Sequence, residues 1–214
     1  MKKIIYLCLF TIIVCNESIS QDTINISFNE SLQLEIGDRI CTLNFMENSK
    51  PIQLKNKEID SYIFKYPGYY TLELKEEELK SEHHSECQHH TLPNRLILYV
   101  DSVKMEFDPS SFKLSSPIIV NKETAGDFIL IDATIENYYK TSIIMRNKEI
   151  FSAGIGTNIT AVLEDDQSIL KSGKHTLKYH LKGTCNLNSY LQFDFRSHNN
   201  TTTSVSMKEP VLRR

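Results

Sequence analysis

Tryptophan is absent from this chain of 214 residues, and glycine is scarce, with only seven residues. So little glycine leaves hardly any room for a glycine-rich nucleotide-binding scaffold. Basic residues are not in excess either. The formal net charge is −3, whereas a protein that binds nucleic acid needs a dense basic face. Hydrophobic residues make up 40% of the chain, which is enough to bury a core. The composition therefore indicates a globular protein of one large domain or two small ones.

The first twenty residues have the pattern of a secretory signal peptide. Lys2 and Lys3 precede an apolar run over residues 4–14, and Ser18 and Ser20 occupy the small-residue positions before Gln21. The run is about half the ~20 residues that a membrane-spanning helix needs. We expect cleavage after Ser20 and export to the periplasm, the cell surface or the medium, with no integral membrane segment left after cleavage.

Export gives the cysteines a meaning, because disulfides form in oxidising compartments. Cys15 raises the alternative of a bacterial lipid anchor, although Val14 stands where such signals have a small residue. Without the signal, the mature chain keeps Cys41, Cys87 and Cys185. Three is an odd number, so at least one thiol is free, paired between chains or bound to something else.

Apolar and polar residues alternate along most of the mature chain, a pattern that predicts half-buried strands. The alternating runs lie at residues 31–37, 39–45, 70–74, 96–100, 129–135, 177–181 and 191–195. Strands with one buried face and one solvent-exposed face are typical of antiparallel sheets packed as a sandwich. The run at residues 75–81 predicts either a short helix or a solvated loop. The expected fold class is all-β.

Two of the strands share a motif, GYYTL at residues 68–72 and GKHTL at residues 173–177. Each is followed by a loop and a last alternating strand, which suggests two copies of one domain type. The Gly-x-Tyr entry resembles the penultimate strand of immunoglobulin-like β-sandwiches, where the tyrosine hydroxyl bonds back to the backbone at a corner. The resemblance implies two tandem immunoglobulin-like sandwiches with Tyr70 at the first corner. His175 takes the tyrosine position in the second copy.

This layout predicts four segments of the chain. They are a signal peptide over residues 1–20, a first sandwich over 21–103, a second sandwich over 104–196, and a loosely held tail over 197–214. Pro109 and Pro117 confine the first strand of the second sandwich to an edge, since proline has no amide to donate to a ladder.

The most unusual segment is EHHSECQHH at residues 82–90, which holds four of the seven histidines. Imidazole and thiolate groups are ligands for zinc or copper, so His83, His84, Cys87, His89 and His90 are candidate metal ligands. The spacing matches no known zinc motif. A solvated loop, and a loop that senses pH through its imidazoles, remain alternatives.

The immunoglobulin resemblance would place half of an inter-sheet disulfide at Cys41, but the expected partner position is Leu72. Cys41 is therefore either a small buried side chain or the partner of Cys87, and the Cys41–Cys87 disulfide is favoured in an exported protein. For Cys185 the alternatives are a free thiol, a bridge to Cys87 or a bridge between chains.

No residues are spaced for nucleophilic or acid–base catalysis. Ser197 and His198 are adjacent, but they begin the predicted tail. Glycan acceptor triplets begin at Asn25, Asn29, Asn158 and Asn200, and have a meaning only in a eukaryotic secretory pathway.

The sequence therefore favours an exported, non-enzymatic binding or adhesion protein whose partner is an unknown protein or a surface glycan. One alternative is a zinc- or copper-handling protein that uses residues 82–90, and a zinc or copper ion is the cofactor that this alternative implies. A periplasmic assembly chaperone is a further alternative, because such chaperones are also built from two immunoglobulin-like domains.

Overall fold

The computed structural model describes residues 23–32, 34, 39–45, 50–55, 57–76, 93–187 and 190–207. These residues form sixteen strands, one short helix and one 3₁₀ turn, which confirms the prediction of an all-β protein. Their buried side chains form two hydrophobic clusters, one between residues 26 and 100 and the other between residues 103 and 205. We refer to residues 23–101 as the first region and to residues 103–207 as the second region.

Seven strands and the helix make up the described part of the first region. They are β1 (Thr23–Ser27), β2 (Glu30–Ser31), β3 (Arg39–Phe45), β4 (Ile52–Lys55), α1 (Lys57–Ser61), β5 (Ile63–Phe64), β6 (Gly68–Glu76) and β7 (Arg95–Asp101). Five strands form one sheet in the order β1-β7-β6-β3-β4, and β2 pairs with β5 apart from it. β1 runs parallel to β7, whereas β7, β6, β3 and β4 are antiparallel to their neighbours.

The alternation in the sequence explains the core of the first region. Cys41 and Leu43 of β3 lie opposite Leu74 and Leu72 of β6, and all four side chains are buried. The intervening polar residues face away from them, as the period of two along a strand requires. The predicted strand at residues 39–45 is confirmed with its bounds.

Nine strands make up the described part of the second region. They are β8 (Val103–Leu114), β9 (Phe128–Asn137), β10 (Ile143–Ile144), β11 (Glu149–Ala153), β12 (Thr160–Leu163), β13 (Ile169–Leu170), β14 (Gly173–Lys182), β15 (Gln192–Arg196) and β16 (Thr202–Ser206), with the 3₁₀ turn at Asp165–Ser168. Seven of them form one sheet in the order β8-β9-β14-β12-β11-β15-β16, and β10 pairs with β13.

The seven-stranded sheet curls until its end strands, β8 and β16, meet and nearly close a barrel. Phe107 of β8 then packs on Phe195 of β15, with 5.4 Å between the ring centroids. The prediction that the first strand of this region is an edge strand is confirmed, because β8 ends the sheet order. Pro109 lies where the pairing of β8 with β9 is interrupted, between Asp108 and Lys113.

Three expectations need correction. The helix considered for residues 75–81 cannot begin at Lys75, because β6 continues through Glu76, and residues 77–81 lie outside the described residues. The tail is not loose over its first part, since Thr202–Ser206 pairs with β15. The two motif strands are not placed equivalently: β6 pairs with β7, the next strand of its sheet, but β14 pairs with β9 and β12.

Candidate functional site at the junction of the two regions

The residues predicted to bind metal, His83, His84, Cys87, His89 and His90, lie outside the described residues, as does the signal peptide over residues 1–20. Within the described ranges, no group of three or more His, Cys, Asp or Glu side chains is placed to hold a metal ion. The metal-handling alternative stays a prediction.

Both described cysteines are buried. Cys41 faces the core of the first region, and burial raises the pKa of its thiol to about 11. Cys185 is buried in the second region, where its thiol donates to the carbonyl oxygen of Leu187 at 3.1 Å. Neither pairs with another described cysteine. The proposed partner Cys87 lies outside the described residues, so the Cys41–Cys87 disulfide stays a prediction.

A buried pair of side chains, Asp101 and His198, joins the two regions. His198, in the turn between β15 and β16, places Nδ1 3.0 Å from Oδ2 of Asp101, at the end of β7. The other carboxylate oxygen, Oδ1, accepts the backbone amide of Val103 at 3.0 Å. The side chains are only 8% and 5% exposed. The sequence predicted that the adjacent Ser197 and His198 lie in a loose tail. The structure instead places them in a turn that packs against the end of β7.

The electrostatics of the pair favour the ionised carboxyl group. Burial by itself would raise the pKa of Asp101. The hydrogen bonds from His198 and the Val103 amide, together with the charges of His198 and Arg146, outweigh burial and hold the pKa below its ordinary value. The carboxylate is therefore charged at neutral pH and both its oxygens act as acceptors.

Further hydrogen bonds connect the two regions around the pair. Asn199 Nδ2 donates to the hydroxyl of Ser27 on β1 at 2.9 Å. The amide of Tyr138, which follows β9, donates to the carbonyl oxygen of Ser102 at 2.9 Å. Ser27 is almost fully buried. These contacts fix the turn after β15 and the turn after β9 against the end of the first sheet.

Exposed aromatic rings surround this junction. Tyr66 of the first region contacts Tyr138 of the second, with ring centroids 6.4 Å apart. Tyr138 also contacts Tyr139 at 5.2 Å, and Tyr69 lies against Tyr99 on β6 and β7 at 4.9 Å. Tyr139 and Tyr66 are the most exposed, at 63% and 60%. We call these five side chains the tyrosine surface.

The two parts of the tyrosine surface lie within electrostatic range of each other. The pKa of Tyr99 is raised first by burial, and then by Asp101, Tyr69 and Tyr139, against the opposing charge of Arg146. Tyr139 and Arg146 of the second region therefore lie within electrostatic range of Tyr99 in the first. Half of the ten tyrosines in the chain are gathered here from three separate segments.

A buried asparagine holds the turn that presents Tyr138 and Tyr139. Asn137, the last residue of β9, accepts the amide of Tyr139 at Oδ1 and donates from Nδ2 to the carbonyl oxygen of Thr141 at 2.8 Å. The amide of Lys140 closes the turn on the carbonyl oxygen of Asn137. An asparagine that bonds to the following backbone in this way stabilises a tight turn, so the two rings are presented by a fixed backbone.

An open groove of about 610 Å³ borders the tyrosine surface. The groove combines aromatic rings, two lysines and a carboxylate, and its lining residues are Phe28, Glu136, Asn137, Tyr138, Lys140, Lys171 and Ser172. Phe28 packs edge-on against Tyr138 with centroids 5.9 Å apart. The groove therefore lies between the two regions, as the tyrosine surface does.

This arrangement is suited to recognition. Tyrosine offers a large apolar area with a polar tip, and it is enriched in binding interfaces. In the described part of the chain, no serine hydroxyl or thiol is hydrogen-bonded to His198. The Asp101–His198 pair instead connects two structural elements.

Sequence reasoning missed both the tyrosine surface and the Asp101–His198 pair. Tyr138 and Tyr139 are adjacent, exposed, and flanked by Asn137 and Lys140, which is a local turn signal. Their proximity to Tyr66 and Tyr99 depends on the packing of the two regions. No periodicity along the chain reveals that packing.

Comparison with protein-family models, with curated proteins and with solved structures finds no match for this chain. None of the described helical residues forms a helix of the length and hydropathy needed to cross a membrane.

Proposed function

We propose that this protein is an exported, non-enzymatic binding or adhesion protein that recognises its partner with the tyrosine surface. The observation that carries the proposal is the exposure of Tyr66, Tyr69, Tyr138 and Tyr139 around a fixed junction. Large exposed aromatic side chains cost solubility in a free protein, and their clustering marks sites of interaction. Rings on a fixed turn also lose little conformational entropy on binding.

The experiment measures which ligands three forms of the full chain retain. The ligands are offered as a random-peptide display library and as a glycan array. The forms are the wild type, the variant with Tyr66→Ser, Tyr138→Ser and Tyr139→Ser together, and the control Phe151→Ser. Phe151 is 65% exposed on β11 and is not part of the tyrosine surface. We expect the wild type and the control to retain the same ligands and the triple variant to lose them. Equal retention by the triple variant would contradict the proposal.

Export is the other part of the proposal, and residues 1–20 support it. Mass spectrometry of the N-terminus of exported protein should give Gln21 as the first residue. A lipid-modified Cys15 at the N-terminus would instead support the lipid-anchor alternative.

We also propose that each region is an immunoglobulin-like sandwich. Lettered A to G in chain order, the strands of the seven-stranded sheet follow one another as A-B-E-D-C-F-G. The immunoglobulin constant-type sheets are ABED and CFG, and the order places these two groups side by side. Strand C, which is β11, pairs with β12 at Glu149–Phe151 and with β15 at 152–153, so the change from one group to the other falls within β11. In the first region the support is the hydroxyl of Tyr70, which donates to the carbonyl oxygen of Tyr66 at 2.8 Å.

A further inference from the structure

We propose that the partner of the tyrosine surface is a protein segment rich in Asp and Glu. The inference rests on the proposed binding function and adds the chemistry of its partner. Its first support is charge. Lys140 and Lys171 line the groove beside Tyr138, Arg146 lies within electrostatic range of Tyr99, and all three cations are exposed.

Two acidic groups lie near these cations, and both have partners within the chain. Asp101, on which the charge of Arg146 acts, is buried and contacts His198 and the amide of Val103. Glu136 lines the same groove, and its charge acts on Lys104, whose pKa is raised first by hydrogen bonding to Glu106 and further by Glu136. The formal charge of the whole chain is −3. A cationic site on a net acidic protein attracts acidic partners locally, while the rest of its surface repels them.

The second support is the backbone of Lys140, which has φ of 56°. Four described residues other than glycine have positive φ, and three of them are asparagines, which tolerate this conformation: Asn29, Asn121 and Asn200. Lysine does not share that tolerance. A charged residue held in a disfavoured conformation, where Asn or Gly would be less costly, points to use of its side chain.

The third support separates a protein partner from a glycan. The side-chain amide that lines the groove is already bonded, because Asn137 Nδ2 donates to the carbonyl and hydroxyl oxygens of Thr141. The hydroxyl of Ser172 accepts the backbone amide of Asn137. Exposed apolar side chains lie close to two of the cations in the chain. Ile144 on β10 is two residues before Arg146, and it lies opposite Ile169, which is two residues before Lys171. Tyrosine and arginine beside aliphatic side chains are typical of protein interfaces.

The test uses a random-peptide library displayed on phage, selected on the full chain at low ionic strength. We expect the recovered peptides to be enriched in Asp and Glu together with apolar residues. Recovered peptides are then synthesised, and their affinity is measured by fluorescence anisotropy at rising salt. The affinity should fall as salt rises, because the contacts are between exposed charges.

Four forms of the chain sharpen the test. Lys140→Glu should weaken binding of the acidic peptides by about tenfold or more, since it replaces attraction with repulsion. Lys140→Asn removes the positive charge and introduces a residue that tolerates positive φ. It should weaken binding less than Lys140→Glu does. Lys182→Glu is the matched control, a charge reversal on the exposed side of β14, and should bind as the wild type does. Far-ultraviolet circular dichroism and the melting temperature check that each variant is folded.

Each other outcome overturns a defined part of the inference. Recovered peptides without an acidic excess, lost on the Tyr66, Tyr138 and Tyr139 triple variant, would overturn the acidic partner and leave the binding function standing. Binding of heparin, abolished by Lys140→Glu while no peptide is recovered, would replace the protein partner with an anionic glycan. Failure of the wild type to retain any peptide or glycan would overturn the inference together with the proposed function.

Discussion

The first and second regions use the same five-residue motif in two different places. Gly68 and Gly173 begin β6 and β14 with φ of 135° and 136°. Two residues later, Tyr70 donates its hydroxyl to the carbonyl oxygen of Tyr66 at 2.8 Å, and Nε2 of His175 lies 2.7 Å from the carbonyl oxygen of Lys171. Both contacts join a side chain to the backbone four residues earlier.

The sheets around the two motifs differ. β6 lies between β3 and β7, the strand that follows it in its sheet, whereas β14 lies between β9 and β12. The motif therefore specifies a local structure: a glycine with positive φ begins the strand, and a ring two residues later is hydrogen-bonded to the backbone of the preceding turn. It does not encode the position of its strand in a sheet. A histidine can make the same contact as a tyrosine, because its Nε2–H, like the phenolic O–H, is a hydrogen-bond donor at the far end of a planar ring.

The largest expected difference comes from the leucines of the two motifs. Leu72 and Leu177 are each fully buried, one in each cluster. Replacing either with Asp loses about 1.5 to 3 kcal/mol of apolar burial and adds several kcal/mol for a buried carboxyl group. Leu177→Asp should unfold the second region and Leu72→Asp the first. Amide exchange followed by mass spectrometry would show which peptides lose protection.

If each region folds on its own, loss of protection should be confined to the substituted region, apart from the junction. Loss of all protection with either variant would instead make the two regions one cooperative unit. Unchanged protection in both would contradict the burial of these leucines.

The Asp101–His198 pair between the regions gives the next largest effect. Asp101 contacts the amide of Val103 at one oxygen and Nδ1 of His198 at the other. Asp101→Asn removes the buried negative charge and replaces one acceptor oxygen with a donor group, so at least one of these two contacts is lost or rearranged. We expect a loss of about 3 kcal/mol in the free energy of unfolding. On the surface, Glu164 contacts Lys178 and His180 through one oxygen, and all three side chains are partly exposed to solvent. Glu164→Gln should therefore reduce stability much less than Asp101→Asn in the same urea titration.

The same pair predicts how stability depends on pH. The folded-state pKa of Asp101 is below its ordinary value, so its contribution is fully present above the unfolded pKa of about 3.9. The contribution is lost as pH falls through the folded pKa. Urea titrations from pH 7 downward should show this loss in the wild type and a shallower one in Asp101→Asn. Equal slopes would show that the folded-state pKa of Asp101 is not lowered.

Most of the long strands with one buried face were predictable, but β1, β11 and β12 were not predicted although each of them buries side chains. The bounds of β3 followed from Cys41 and Leu43, because alternation records burial directly. Helix α1 was missed, since five residues, Lys57–Ser61, are too few to show a helical period. Strand β16 was missed because its residues are polar, with Val205 its single buried side chain.

The candidate site could not be predicted in the same way. His198 is buried because the turn between β15 and β16 folds back onto the end of β7, a contact between residues 97 positions apart. The sequence showed instead the histidines of residues 82–90, which share one short segment. A cluster of residues that only folding brings together leaves no spacing pattern in the sequence. The tyrosine surface and the Asp101–His198 pair could therefore be found only in the structure.

The two motif glycines should differ when replaced with alanine. Both have positive φ, which strains any other residue by about 1 kcal/mol or more. A Cβ on Gly68 would also lie 3.1 Å from the ring of Phe45, whereas a Cβ on Gly173 would meet nothing within 4 Å. Gly68→Ala should therefore cost about 2 kcal/mol and Gly173→Ala about 1 kcal/mol. Melting temperatures would rank them, and the reverse order would show that the Phe45 ring yields without cost.

The smallest effect tests the corner contacts themselves. Tyr70 is buried, and burial followed by the nearby Tyr62 raises its pKa to about 12, so its hydroxyl remains a donor at any pH that the fold tolerates. Tyr70→Phe keeps the ring and removes only this donor, which should cost about 1 kcal/mol. His175 is partly exposed, and water can replace its contact with Lys171, so His175→Ala should cost less than about 0.5 kcal/mol. Urea titration of each variant against the wild type measures both. A larger loss at His175 than at Tyr70 would mean that the imidazole contact holds its turn more strongly than the buried hydroxyl does, and burial would then be the wrong basis for ranking the two corners.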